Sequence, residues 1–127
     1  MSILDSFRPF NFNEGVPYVS ITTSGITFNK AVVMKLGYPR NVILLIDDHS
    51  NRLALQPCGE TEPLAAPFFK EKKSGVISVR WNGKDLINTI VELTGWDLKK
   101  CGYRVDGFLV REENVMLFNL NEAMPLS

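Results

Sequence analysis

The feature that most constrains the fold of this chain is an order of short segments that occurs twice. From Tyr18 to Gln56 the sequence shows two strand-like segments around a turn, then a short helix, then a second hairpin. The first turn contains Ser24-Gly25, and the same pair recurs as Ser74-Gly75 in the second occurrence. Such a repeat predicts two copies of one β-β-α-β-β unit that complete each other's core.

The first unit, residues 18–58, carries start and stop signals for its helix. Asn29 offers a side-chain oxygen to the N–H groups of the first turn, and Gly37 suits the residue after the last turn. A helix is therefore predicted over Lys30–Leu36, with Val32 and Leu36 on one face. Its strands are predicted at 18–22, 26–28, 42–46 and 52–56.

The second unit, residues 67–121, follows a linker at 59–66 and repeats the same order. Asn82 stands at the predicted helix start with Asp85 as a capping-box partner, and Gly95 ends the helix. The strands of this unit are predicted at 68–70, 76–81, 103–110 and 115–120. The alternative is that two unrelated β-α-β-β stretches merely look alike. The predicted fold is one β-rich α+β domain over residues 1–127, in which two β-β-α-β-β repeats form one barrel-like pseudo-dimer.

A hairpin, a short helix ending in Leu-Gly and a second hairpin resemble the swapped-hairpin fold of AbrB-like transition-state regulators and MazE-type antitoxins. The likeness covers most of residues 18–57 and, more loosely, 67–120. The residues that carry it are Gly25-Ile26-Thr27-Phe28, Leu36-Gly37, Val42 to Ile46 and Leu53-Ala54-Leu55. In that family two protomers intertwine to form a barrel and bind DNA, so the resemblance implies both halves on one chain and a regulatory DNA-binding role. The chain also looks like small uncharacterised bacterial proteins, a likeness that implies no activity.

The charge of the chain is balanced overall but uneven along its length. Fourteen Lys and Arg residues face fourteen Asp and Glu residues, so the chain lacks the basic excess of a strong nonspecific DNA binder. Residues 70–84 nevertheless carry five positive side chains and one negative, a local charge of +4. The predicted phosphate-contacting residues are Lys70, Lys72, Lys73, Arg80 and Lys84, extended through the pseudo-symmetry by Lys30 and Arg40. The alternative is a solvated turn that lysines keep soluble.

Aromatic residues outside an obvious core pattern suggest a second class of function. Trp81 and Trp96 are candidate partner-binding residues, although a Trp in an alternating strand or after a helix cap also packs in cores. Three phenylalanines, Phe7, Phe10 and Phe12, precede the first repeat and are candidates for the same role. A protein-interaction or structural module without nucleic-acid binding is therefore the alternative function.

Catalytic, cofactor and metal signals are absent from the sequence. It has one histidine, His49, two separate cysteines, Cys58 and Cys101, and no nucleotide-binding or hydrolase motif. We therefore expect a non-enzymatic protein without cofactor or metal. No apolar run is long enough to span a bilayer and no secretory leader is visible, which predicts a cytoplasmic protein that does not enter membranes. A monomer or a loose homodimer is expected.

Overall fold

The structure is a computed structural model that describes residues 3–5, 7 and 15–126. Two α-helices occur in this part of the chain, α1 (Lys30–Lys35) and α2 (Lys84–Thr94), with a short 3-10 turn at Leu120–Glu122. The strands are β1 (Tyr18–Thr22), β2 (Gly25–Phe28), β3 (Asn41–Asp47), β4 (Arg52–Pro57), β5 (Ala66–Pro67), β6 (Val79–Trp81), β7 (Tyr103–Val110), β8 (Val115–Asn119) and β9 (Met124–Pro125).

The strands form one antiparallel sheet in the order β5-β3-β4-β8-β7-β1-β2-β6, with β9 added beside β7. The sheet curls into a half-barrel, and its two end strands are β5 and β6. The prediction of a small, β-rich α+β fold with a barrel-like sheet is confirmed at this level.

The core lies on the concave side of the sheet and is centred on Phe28. The β1 side chains alternate between buried and half-buried positions, as expected for a strand with one face on the core. The Phe28 ring contacts the rings of Phe68, Trp81 and Phe118 at centroid distances of 5.5, 5.0 and 5.9 Å. Because these rings come from four separate elements, Phe28 joins the two parts of the chain.

Helix α1 begins and ends as its sequence predicts. The Asn29 side-chain oxygen accepts from Val32 N at 3.3 Å and from Tyr18 N at 3.0 Å. The Asn29 amide donates to Val16 O at 2.8 Å, so one side chain caps the helix and fastens it to β1. At the other end, Gly37 has a φ of 84° and the helix closes with a Schellman pair of hydrogen bonds.

The second half departs from its prediction in two places. Residues 68–70 and 76–78 are not strands. Phe68 N and Phe69 N donate to the carbonyls of Arg40 and Pro39, which holds residues 68–69 beside the start of β3. The cap of α2 is Gly83, without a side-chain hydrogen bond, so the capping box predicted from Asn82 is wrong. The Asn82 side-chain oxygen instead accepts from Arg80 Nε at 3.1 Å.

Candidate nucleic-acid interface at the open edge of the sheet

The two ends of the curled sheet face each other across an opening that we call the seam. It is formed by β5, β6 and the loop 68–78 that joins them. Strand pairing does not close it, since β5 pairs with β3 and β6 with β2. The Trp81 indole N–H crosses it and donates to Pro67 O at 3.0 Å.

Two adjoining hollows lie along the seam. The smaller, of about 230 Å³, is lined by Lys70, Lys72 and Arg80 over an apolar floor that includes Phe68 and Trp81. The larger, of about 480 Å³, opens between β3 and the loop. Its lining residues are Tyr38, Arg40, Asn41, Pro67, Phe69, Lys70 and Glu71. Pro67 and Lys70 line both hollows, so the two adjoin each other.

The charge around the seam is predominantly positive. Arg40, Lys70, Lys72 and Arg80 line the hollows, and Glu71 is the one acid among the described residues that do so. Lys73 is exposed in the adjacent turn, which closes through a hydrogen bond from Gly75 N to Lys72 O of 3.0 Å. The structure thus brings together five of the seven predicted phosphate-contacting residues.

Arg80 is the most constrained of these cations. Its Nη2 donates to the backbone oxygen and the hydroxyl of Ser24 at 2.9 and 3.1 Å, which anchors the β1–β2 turn to β6. A Cβ on Gly25 would lie 3.1 Å from the Arg80 Nε and 3.0 Å from the Trp81 carbonyl, so a larger residue there would require these neighbours to shift by a few tenths of an ångström. The guanidinium therefore has a structural role, while the lysines of the loop stay exposed.

Lys84, Lys30 and Trp96 line neither of the two seam hollows. Lys84 is exposed at the start of α2 and lines a separate hollow of about 400 Å³ with Trp96, Asp97 and Lys99. Lys30 is exposed at the start of α1 and lines neither seam hollow. Both are predicted phosphate contacts that the fold does not bring to the main cluster.

The predicted partner-binding aromatics are engaged with the protein's own side chains. Trp81 packs edge-on against Phe28, and its indole N–H donates a hydrogen bond to Pro67 O. Trp96 stacks on Tyr103 at a centroid distance of 4.2 Å. A hydrogen bond with the Cys101 side chain, together with desolvation, raises the pKa of Tyr103. Phe7 is exposed, and Phe10 and Phe12 lie outside the described residues.

Sequence reasoning missed the aromatic wall of the larger hollow. Tyr38 and Phe69 meet edge to face at 5.2 Å, and Tyr38 has a φ of 56° directly after Gly37. The Gly-Tyr-Pro run was a signal for an unusual backbone at this point. The partner, Phe69, is 31 positions further along, so no local pattern connects the two rings.

Two observations bear on other kinds of site. Across residues 3–5, 7 and 15–126, no group of three or more His, Cys, Asp or Glu side chains is placed to hold a metal ion. In the same part of the chain, no helix is both long and apolar enough to cross a bilayer.

Comparisons of the chain with protein-family models, with curated proteins and with solved structures gave no match.

Proposed function

We propose that this protein is a non-enzymatic binding protein that contacts duplex DNA through the seam, as a transcriptional regulator of the kind its sequence resembles. The observation that carries the proposal is that Arg40, Lys70, Lys72 and Arg80 line two adjoining hollows of the seam with a single acid among the lining residues. Phosphate contacts come mostly from such basic side chains and position a protein on the duplex.

The loop lysines are the residues most suited to this role. Lys70, Lys72 and Lys73 are exposed and lie on a loop, so their flexible ammonium groups can follow a phosphate backbone. The neutral total charge predicts modest affinity, because little long-range attraction supplements the local contacts. The binding should therefore be strongest at low salt.

The proposal includes the duplication of a β-β-α-β-β unit, and the strand order supports it. In a duplicated chain, each strand of the first unit has a counterpart in the second. The counterparts here are β1 and β5, β2 and β6, β3 and β7, and β4 and β8. When each strand is exchanged for its counterpart, the β1·β7 pair becomes the β5·β3 pair. The β2·β6 and β4·β8 pairs are each converted into themselves. A pseudo-dimer with an approximate twofold axis has this pattern, except that the β1·β2 pair has no counterpart because β5 and β6 do not pair with each other.

The register of the pairs is compatible with the same exchange, as it is in any antiparallel ladder. Across β4 and β8, Leu53 pairs with Phe118 and Leu55 with Met116, and these two pairs interchange if Leu53 corresponds to Met116 and Leu55 to Phe118. Across β2 and β6, the pairs Ile26–Trp81 and Phe28–Val79 interchange in the same way. An experimental structure in which α1 and α2 are unrelated by an approximate twofold axis would contradict the duplication.

DNA binding is tested by fluorescence anisotropy of a labelled duplex titrated with the protein at several salt concentrations. We expect binding at low salt, with log K falling against log salt at a slope of about −3, as for three to four phosphate contacts. The double variant K70E/K72E should weaken binding by about tenfold or more, because two attractions become repulsions.

The matched control is K99E/K100E, which changes the net charge by the same amount at exposed positions outside the seam hollows. It should retain most of the affinity. Absence of binding at low salt, or an equal loss in the two variants, would contradict the seam as the DNA-contacting surface. The alternative, a protein-interaction module that uses Trp81 or Trp96, has less support because both rings pack on the chain itself.

A further inference from the structure

A row of apolar side chains crosses the convex face of the sheet, opposite the core. Leu45 pairs with Ala54, Ala54 with Leu117 and Leu117 with Phe108, so the four residues lie side by side on β3, β4, β8 and β7. Their neighbours in sequence, such as Leu53 and Phe118, point into the core.

This row is unusual for a surface. The outer face of a curled antiparallel sheet is normally polar. Here Phe108 is 70% exposed and Leu45 is 45% exposed at the two ends of the row, with Ala54 and Leu117 half-buried between them. The parallel row alongside it is polar, formed by Asp47, Arg52 and Asn119. A contiguous apolar strip that is bordered by polar residues, here on one side, is typical of an interaction surface.

The row is also self-complementary in shape. The small Ala54 side chain leaves a hollow of about 320 Å³, with Leu45 and Leu117 among its walls. Two strands away, Phe108 stands exposed as the largest side chain of the row. The face therefore carries a projecting aromatic ring and a depression that can receive one.

The charges at the two ends of the row are complementary as well. The hollow near Leu45 is lined by Asp47, Arg52 and Glu113, a local charge of −1. The surface around Phe108 is lined by Lys35, Arg111 and Glu112, a local charge of +1. A second copy turned by half a turn would place each end against its opposite.

We propose that this face is a homodimer interface, in which Phe108 of each copy enters the hollow over Ala54 of the other. Leu117, on the strand between, then lies at the twofold axis and meets the Leu117 of the second copy. A twofold interface of this kind is isologous, since each contact occurs twice. Two antiparallel sheets packed face to face are a common architecture, with their inner side chains interdigitated.

The test is sedimentation velocity of the full chain over a wide concentration range. We expect a reversible dimer, and we expect F108D to weaken it by about thirtyfold or more, the effect of removing a central aromatic anchor. A54K, which fills the hollow and charges it, should weaken the dimer comparably. L64D is the control, because Leu64 is an exposed leucine of the linker that lines neither the hollow over Ala54 nor the surface around Phe108. It should leave the dimer unchanged, and circular dichroism checks that each variant is folded.

Mixing the two variants tests the specific contact. In a heterodimer of F108D with A54K, one site pairs the new carboxylate with the new ammonium, and the other keeps the native Phe108–Ala54 contact. The equimolar mixture should therefore dimerise more strongly than either variant alone. A wild-type chain that stays monomeric, a dimer that F108D leaves intact, or a mixture that recovers nothing would overturn the proposal.

Discussion

The two halves of the chain, residues 15–58 and 66–126, begin with the same order of elements, β-β-α-β-β. They differ in whether the first two strands pair with each other and in how the helix is capped. In the first half, β1 and β2 form a regular hairpin and Asn29 fastens α1 to β1 with three hydrogen bonds of its side chain. In the second half, β5 and β6 have two and three residues, do not pair with each other, and lead to a helix without a side-chain cap.

Because the first two strands of the second half do not pair with each other, this half has a surface, the seam, that the first half lacks. Phe68 N and Phe69 N donate to Arg40 and Pro39, just before β3, and the loop 68–78 contains no strand pair of its own. That loop carries the lysines, and its departure from the sheet leaves the seam open beside them. The less regular half therefore contains the proposed DNA-binding surface.

The largest expected difference between the halves concerns the aromatic residues of β2 and β6. Phe28 is almost fully buried and touches three rings, so F28A should reduce the free energy of unfolding by about 3–5 kcal/mol. Trp81 is half-buried, and W81A should cost about 2 kcal/mol, including its hydrogen bond to Pro67. Denaturant unfolding measures both values. A W81A cost equal to that of F28A would show that the seam is packed as tightly as the first half.

The next difference concerns the asparagines before the helices. N29A removes the cap of α1 and the hydrogen bonds to Tyr18 and Val16, and should cost about 2 kcal/mol. N82A removes an exposed acceptor for Arg80 but no cap, and should change stability by less than about 0.5 kcal/mol. The same unfolding experiment compares the two. Equal losses would mean that Asn82 supports α2 in a way its observed hydrogen bond does not.

The smallest difference concerns the tips of the two hairpins. In the first tip, hydrogen bonds from the Ser50 hydroxyl and Arg52, and from His49 N, lower the pKa of Asp47 from 3.8 to about 2. The second tip closes through a backbone hydrogen bond from Asn114 N to Arg111 O. A carboxyl with a lowered pKa stabilises the folded state above about pH 4, and this contribution disappears as the pH falls toward 2.

The variant D47N should therefore be less stable than the wild type at pH 5 and equally stable near pH 2, as measured by thermal unfolding across this range. E60Q, a substitution at an exposed linker position, should follow the wild type throughout. A constant gap between D47N and the wild type would assign the effect of Asp47 to packing instead of its charge.

Most of the secondary structure could be predicted from local signals. The alternating pattern predicted β7 with the bounds that the structure has, and Asn29 and Gly37 marked the ends of α1 correctly. The strand predictions at residues 68–70 and 76–78 were wrong, and at 68–69 the backbone N–H groups donate to the distant residues Arg40 and Pro39. The cap prediction at Asn82 was wrong for a local reason, because its side-chain oxygen accepts from Arg80, two residues earlier.

The candidate site was predictable in part. The lysine-rich run was visible, and it does lie on one exposed loop. Arg40 was included through symmetry, and the structure places it beside Lys70 because β5 pairs with β3. That Lys30 and Lys84 line neither seam hollow was not visible, since it depends on where the helices leave the sheet.

The sequence by itself determined the local elements, because strand alternation, helix caps and turn residues act over a few positions of the chain. Tertiary structure alone decided which of those elements became edges and which side chains became neighbours. The seam exists because β5 and β6 end the sheet without pairing with each other. The apolar row exists because register aligns Leu45, Ala54, Leu117 and Phe108 across four strands. The physical reason is that strand pairing acts between distant residues, and its register is set by burial of the whole core.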